Sequence, residues 1–382
     1  MRHVLVVLLL VPGVAMAQPE PTDPRPAGAP ARPDPVATPA MATVPVTATA
    51  STTVDGAVAA PGPDLTSKWS GAGKPPPGGW RVMLSDLSVL RLNPLGIETR
   101  GRFGMQKRLY ASETKLGMNN FMFLGVYPKL NPASAHLAAG GEIQPVAMFN
   151  LRATAEVQKY FGTFGFLQSF TSPDANYSDN RLADLETVPG FEPQAATAFH
   201  VSVQPLLQAK VGPVAIRSLF QLDYWDFKLR AGDTAAYEAT FDTLLPDQGF
   251  TISADTDVLY TGRPGLAIGL RHTWVQPIYK QRHFDDPDLS AAENTAELEA
   301  YDNANAHQRV GLFAAYTLKD RGPSKFNKPT VILIASWYLT HRFRTGAPDL
   351  MRPGDTGDDF TSRAFPYLLV GFAFESDLMA VR

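Results

Sequence analysis

Charged and hydrogen-bonding side chains recur at every second position in several parts of this chain. Residues 197–230 carry His200, Ser202, Gln204, Gln208 and Lys210 on one face. After a Val211-Gly212-Pro213 turn, Arg217, Gln221 and Asp223 alternate with Val214, Ile216, Phe220, Leu222 and Tyr224. The same spacing sets Glu98, Arg100, Arg102, Gln106 and Arg108 against apolar neighbours, and again Arg152 with Glu156, Asp255 with Asp257, Arg271, and Arg342 with Arg344. Arg309 and Glu375 complete the set. Groups so placed have two chemistries open to them. In a water-filled tube they line the wall, and their excess of basic groups favours anions. In a closed interior Arg and Glu pair across neighbouring strands.

Catalytic and metal-binding patterns are weaker. His200 and Ser202 share a face but stand about 7 Å apart along a strand. Acyl transfer needs a Ser within reach of the His, a carboxylate to orient it and an oxyanion hole. No flanking pattern supplies these. Asp255 and Asp257 also share a face, and are expected to be partners of Arg217 or Arg271 rather than a proteolytic pair. His283, Asp285, Asp286 and Asp288 could offer oxygen ligands to Ca²⁺, but without the regular spacing and glycine of a dedicated loop. Phosphate-loop, zinc and dinucleotide fingerprints are missing, so no cofactor, metal or enzymatic activity is expected.

The elements that must position these groups follow from the period of two, which marks strands. At roughly 3.3 Å per residue the alternating runs are long enough to cross a bilayer at a tilt. The chain has 382 residues, a net charge of −3 and no cysteine. That charge gives no reason to expect nucleic acid, and lack of cysteine excludes a disulfide frame. Arg2 and His3, an apolar run from Val4 to Val14 and Ala15-Met16-Ala17 read as a signal peptide over residues 1–17. Residues 18–79, rich in Pro, Ala and Thr, read as a disordered periplasmic linker. Residues 80–382 hold eleven alternating runs. The segment 80–92, open to either a short helix or a strand, supplies a twelfth if the chain is to begin and end on one side. Connections alternate between short (near Ser112, Pro145, Gly212, Arg263 and Gly322) and mostly long (after Phe161, Arg230, Lys280 and Thr345); the one over 163–196 reads as a polar loop, the run 330–344 as a strand, and His272 and His341 as outward residues near the interfaces. Tyr160, Phe161, Phe164, Tyr224, Trp225, Trp274 and Tyr279 fall near the long-loop ends, where amphipathic rings suit a membrane interface. The expected fold is all-β: a transmembrane antiparallel up-and-down barrel of about 12 strands, with 10–14 allowed. Alternation alone also fits a soluble sandwich.

With its signal peptide, paired strands of bilayer length and loop-length asymmetry, the chain resembles Gram-negative outer-membrane porin-like barrel proteins over residues 80–382. Where such proteins commonly end on an aromatic residue, Phe372 and Phe374 fit, but Glu375–Arg382 extends past them. The resemblance implies location in the bacterial outer membrane, contact with its lipid and lipopolysaccharide, insertion by the barrel-assembly machinery and passive passage of small solutes. A plugged structural or binding barrel with acidic outer loops, and a barrel lipid hydrolase, are the rival readings.

Overall fold

The computed structural model describes residues 78–114, 116–284, 290–301, 304–320, 324–345 and 366–380. The signal and linker segments, the acidic run Asp285–Asp288 and residues 346–362 lie outside these or nearly so. Twelve strands close an antiparallel barrel: β1 (Arg81–Leu92), β2 (Gly96–Lys107), β3 (Phe121–Asn131), β4 (Ser134–Val146), β5 (Phe149–Phe161), β7 (Ala195–Val211), β8 (Val214–Phe227), β11 (Gly249–Tyr260), β12 (Leu266–Ile278), β13 (His307–Thr317), β14 (Asn327–Thr340) and β15 (Tyr367–Asp377). The short strands β6 (Ser169–Phe170), β9 (Ala235–Glu238) and β10 (Thr243–Pro246) form a separate three-stranded sheet. Helices α1 (Asp179–Leu185) and α2 (Ala291–Ala300) lie in the long connections. The ambiguous segment after Trp80 is therefore a strand. It pairs with β2 on one side and with β15 on the other, from Met83–Asp377 to Leu92–Leu368, and so closes the barrel.

Barrel strands run from 11 to 17 residues, enough to cross the hydrocarbon at a tilt. Their alternation is inverted relative to a soluble protein. Leu90, Ile97, Leu124, Leu137, Val157, Ile216, Leu270, Leu312, Leu333 and Val370 are exposed, whereas Arg91, Glu98, Glu156, Asp223, Asp257 and Arg271 are buried. Outward apolar side chains on a closed sheet suit lipid, and closure satisfies every strand edge where no water can do so. A soluble sandwich would bury these residues between two sheets.

The interior is packed. Leu87, Val89, Ala215, Leu259, Phe313, Ile332, Ile334, Tyr367 and Leu369 point in from seven adjacent strands and form one apolar cluster with Ala267 and Ala373. On the opposite wall Gly104 and Gly125 face each other across β2 and β3. The Phe123 ring covers both: a Cβ at Gly125 would lie 2.7 Å from Phe123 Cζ and one at Gly104 2.8 Å from the same atom. Phe123 in turn carries the Arg102 guanidinium 3.5 Å above its centroid. The two glycines thus leave room for the ring that seats an interior cation. Gly125→Val should overpack this site and cost about 1–3 kcal/mol. Urea unfolding in lipid vesicles would measure this, and Phe123→Ala on that background should recover part of the loss.

Candidate functional site: the barrel interior and its outer mouth

Opposite charges in the interior meet between adjacent strands, as Asp257 does with Arg217 and Arg271, or across one intervening strand, as Arg102 does with Glu142 and Lys129 with Glu156. Asp257 takes Arg217 from β8 at 2.5 Å and Arg271 from β12 at 2.7 Å, and Arg271 also reaches Asp255 at 3.5 Å. Glu142 takes Arg102 at 3.1 Å and Arg152 at 3.5 Å. Glu156 takes Lys129 at 2.9 Å. Glu98 pairs with Arg100, two residues along its own strand. Arg309 lies over the Tyr367 ring at 4.0 Å. Lys210, near the short-turn end, donates to the Thr261 carbonyl at 3.2 Å. Arg108 lies past the end of β2, where its Nη2 donates to the Ser112 carbonyl at 3.0 Å.

In several of these pairs the cation is the more exposed member, whereas Arg271 is as buried as Asp255. The Arg217 side chain is 19% exposed and that of Asp257 0%. The figures are 14% and 5% for Arg152 and Glu142, and 13% and 2% for Lys129 and Glu156. The carboxylates lie behind, where guanidinium and ammonium groups compensate their burial. The more exposed charge in these three pairs is therefore positive.

His200 sits higher in the barrel. Its Nε2 lies 2.8 Å from Asp223 Oδ1, its Nδ1 3.6 Å from Glu156 Oε1, and its ring stacks on Trp225 at 3.9 Å. Ser202 instead accepts from Gln204 Nε2 at 3.0 Å, so His200 and Ser202 do not form a nucleophile–base pair. A second row, Ser134 Oγ to His136 Nε2 at 2.8 Å and His136 Nδ1 to Glu156 at 3.2 Å, has the order of a hydrolytic triad. Yet Ser134 is 1% exposed, and its Oγ also accepts from Asn131 Nδ2 at 2.8 Å. This arrangement braces the β3–β4 turn and offers a substrate carbonyl no approach.

The outer mouth is filled by the connections themselves. Every residue from Ala235 to Pro246 is buried. This β9–β10 hairpin joins Phe166, Leu167, Phe170, Tyr177 and Leu185 of the preceding connection in one core with the inward-facing Tyr160, Ala198, Trp225, Phe227 and Val275. Its turn spans the mouth. Phe241 meets Trp225 of β8 edge-on at 5.9 Å, while Asp242 accepts from Tyr338 of β14 at 2.7 Å. Asp242 adopts φ 51°, a left-handed conformation that aspartate tolerates better than most residues. Its carboxylate also accepts from Tyr237 at 2.8 Å and from Arg344 Nη2 at 2.9 Å. Arg344 donates further to Asn93 at 2.8 Å and in bidentate fashion to Asp179 at 2.9 Å. One guanidinium thus ties together four outer connections. Arg342 holds Asp174 at 2.9 Å beside it.

Several sequence expectations change here. The connection 163–196 is not simply polar: its Phe166, Leu167, Phe170 and Tyr177 are interior, as is the 235–246 hairpin. Tyr160 and Trp225 point inward into the mouth, and Tyr279 bonds the hairpin through the Leu244 carbonyl, so none of these three forms part of an interfacial girdle. Phe161 and Phe164 are exposed. β14 ends at Thr340 rather than 344, after a register shift between Gln308 and Arg309. Its alternation breaks there, so His341 turns inward to the Asp242 carbonyl at 2.8 Å instead of facing out. Arg342 and Arg344 reach the interior from the turn that follows, not from strand alternation. The strongest sequence signal for the plug was the apolar content of 235–245, Ala-Ala-Tyr-Glu-Ala-Thr-Phe-Asp-Thr-Leu-Leu, which is unusual for a solvated loop.

No protein-family description matches the chain, and no curated protein matches it. Solved structures that match include the NanC porin, at 9% identity over 77% of this chain and 100% of that chain with a TM-score of 0.33. Another is the outer-membrane protein Omp33 of Acinetobacter baumannii, at 9% over 80% and 100% with a TM-score of 0.31. A third is the translocator domain of the autotransporter NalP from Neisseria meningitidis, at 9% over 82% and 93% with a TM-score of 0.33.

Burial alone would raise the Asp242 carboxyl, but the Arg344 guanidinium over-compensates and holds it well below the usual carboxylate range. A depressed folded value means that its contribution is complete above about pH 4, the ordinary aspartate value, and is lost only as acidity increases toward the folded value. Asp242→Asn removes one of the two carboxylates that hold the buried Arg344 and should destabilise the mouth by about 3–5 kcal/mol. Protease sensitivity of residues 235–246 should rise at neutral pH, while the wild-type hairpin stays protected down to strongly acid conditions.

Proposed function

We propose that this chain is a bacterial outer-membrane barrel providing a narrow, porin-like passive path for small hydrophilic solutes, with anions favoured. The observation that carries this reading is the unequal exposure within the interior ion pairs. Arg100, Arg102, Lys129, Arg152 and Arg217 contact water while their carboxylate partners are withdrawn behind them. A permeating ion in a low-dielectric pore responds to the nearest wall charges, and these are positive. Lys129, Arg152, Arg100 and Arg102 lie on β2, β3 and β5, on the wall away from the apolar cluster, so the path runs along that side. In this scheme residues 1–17 act as the export signal, 18–79 as a periplasmic linker and 80–382 as the barrel. Lipid and lipopolysaccharide surround it, and the barrel-assembly machinery inserts it.

A second reading, a sealed barrel that acts through its outer surface, is favoured by the aromatic core across the mouth and by the reversed polarity of its rim. There Asp179 is 46% exposed and its partner Arg344 2%. Charge reversal on the cationic wall separates the two readings. Arg152→Glu combined with Arg217→Glu should move the reversal potential in a potassium chloride gradient from the chloride side toward the potassium side. Unchanged selectivity in a conducting variant would place the path elsewhere, and absence of conductance in both proteins would favour the sealed barrel.

A further inference from the structure

Two polar islands interrupt the apolar outer face of the barrel. The first lies on β1 and β2. Asp86, Ser88 and Thr99 face outward, since the flanking Ser85, Leu87 and Val89 are buried within and Ser88 stands directly opposite Thr99. Apolar pairs bound the island along the strands in both directions: Leu84 with Phe103 on one side, and Leu90 with Ile97 on the other. Phe374 and Phe372 bound it laterally, opposite Asp86 and Ser88. The carboxylate accepts from the Ser88 hydroxyl at 3.0 Å and from the Thr99 hydroxyl at 2.8 Å, which uses the single proton of each. Two acceptor positions remain on Asp86. Directly opposite it is Gly101, which has no side chain of its own and is bordered by the Pro128 ring of β3, 2.9 Å from where a Cβ would lie. Among the described residues Asp86 bonds only these two hydroxyls. A charge on the lipid face is destabilising in a depth-dependent way, so a mid-strand carboxylate there calls for a partner.

The second island lies on β8, β11, β12 and β13. His272 faces outward between Leu270 and Trp274, with the interior Arg271 and Thr273 on either side of it along the chain. Its Nε2 donates to Gln308 Oε1 at 3.0 Å, which leaves Nδ1 directed away from that bond. Thr256 is directly opposite His272, and Ser218 joins Thr256 at 2.9 Å. Like Asp86, His272 lies near the middle of its strand. Between the islands stand β15 and β14 with the outward Val331, Leu333, Val370 and Phe372.

We propose that the two islands are the two halves of one contact between copies of this chain, in which Asp86 of one copy meets the His272 imidazole of the next. Charge complementarity selects this occupant. An acid with spare acceptor positions and an imidazole with a spare nitrogen, both set in apolar surroundings, satisfy each other in a charge-assisted hydrogen bond. Ser88 beside the acid is small, and polar side chains hold such contacts in lipid. Contact of an island with its own copy would instead oppose two carboxylates or two imidazoles. Because the halves lie on different faces, the association is head to tail and yields rings or rows rather than a two-fold dimer.

The absence of cysteine makes the test direct. Ser88→Cys and Gln308→Cys are introduced together into the full chain, leaving Asp86 and His272 in place, and isolated membranes are oxidised. Cross-linked dimers and higher species are expected only from the double variant, and Thr99→Cys is the substitute should Ser88→Cys not assemble. Adding Asp86→Asn should lower the cross-linked yield by about tenfold, in keeping with loss of a hydrogen bond to a charged group. The exchange Asp86→His with His272→Asp should restore it. Monomers alone from the double variant, in protein that retains the heat-dependent mobility of a folded barrel, would overturn the proposal. So would dimers from Ser88→Cys alone, or a yield indifferent to Asp86→Asn.

Discussion

Closure of β1 onto β15 is the constraint on which everything else rests. In lipid an open sheet edge would leave its amides and carbonyls without partners, so the sheet must meet itself. Once it does, each strand has one face outside and one inside, and the period of two divides the sequence between lipid and interior. The outward set, from Leu90 through Val370, is apolar apart from the two polar islands. The inward set carries most of the charge, the outward Asp86 being an exception, and inside a narrow barrel that charge has to be matched across strands. Arg217 and Arg271 converge on Asp257, and Arg152 on Glu142, because antiparallel register places inward residues of neighbours abreast, while Arg102 reaches Glu142 over the intervening β3.

The pairing leaves a directional residue. Long guanidinium and ammonium side chains reach past the shorter carboxylates, whose carbon chains hold them close to the wall. In the pairs of Arg217, Arg152 and Lys129 the cation is thus the more exposed member and the carboxylate lies behind it. At the mouth the geometry is reversed: Arg342 and Arg344 are buried under the hairpin, and their partners Asp174 and Asp179 come from the connection above. The rim is thereby acidic over a basic interior. Arg344 also determines how the connections are seated, since Asn93, Asp179 and Asp242 all converge on it.

Much of this was legible in the sequence, for a physical reason. A strand exposed to lipid on one face and charge on the other gives the strongest two-residue alternation a chain can show, and the runs at 148–161 and 197–230 carried it without interruption. The pairing of Asp255 and Asp257 with Arg217 and Arg271 also followed, because faces can be assigned before register is known. What escaped was non-periodic. The hairpin 235–246 is buried by a fold-back whose partners are remote in sequence, and four-residue strands are too short to register as alternation. His341 was placed outward because alternation was continued past the register shift at Gln308, where one extra residue reverses every face beyond it. Tyr160 and Trp225 illustrate the same limit: position near a strand end suggested an interface, while their parity, shared with His200 and Glu156, placed them inside.

The central claim is that interior water meets a cationic wall along which small anions pass. Single-channel recording of the refolded barrel in a planar bilayer under a salt gradient tests it most directly, on protein first shown to migrate as a folded barrel on an unheated gel. Small, steady openings with a reversal potential on the chloride side are the predicted result. Cation-favouring openings, or no conductance from protein that is demonstrably folded, would contradict it.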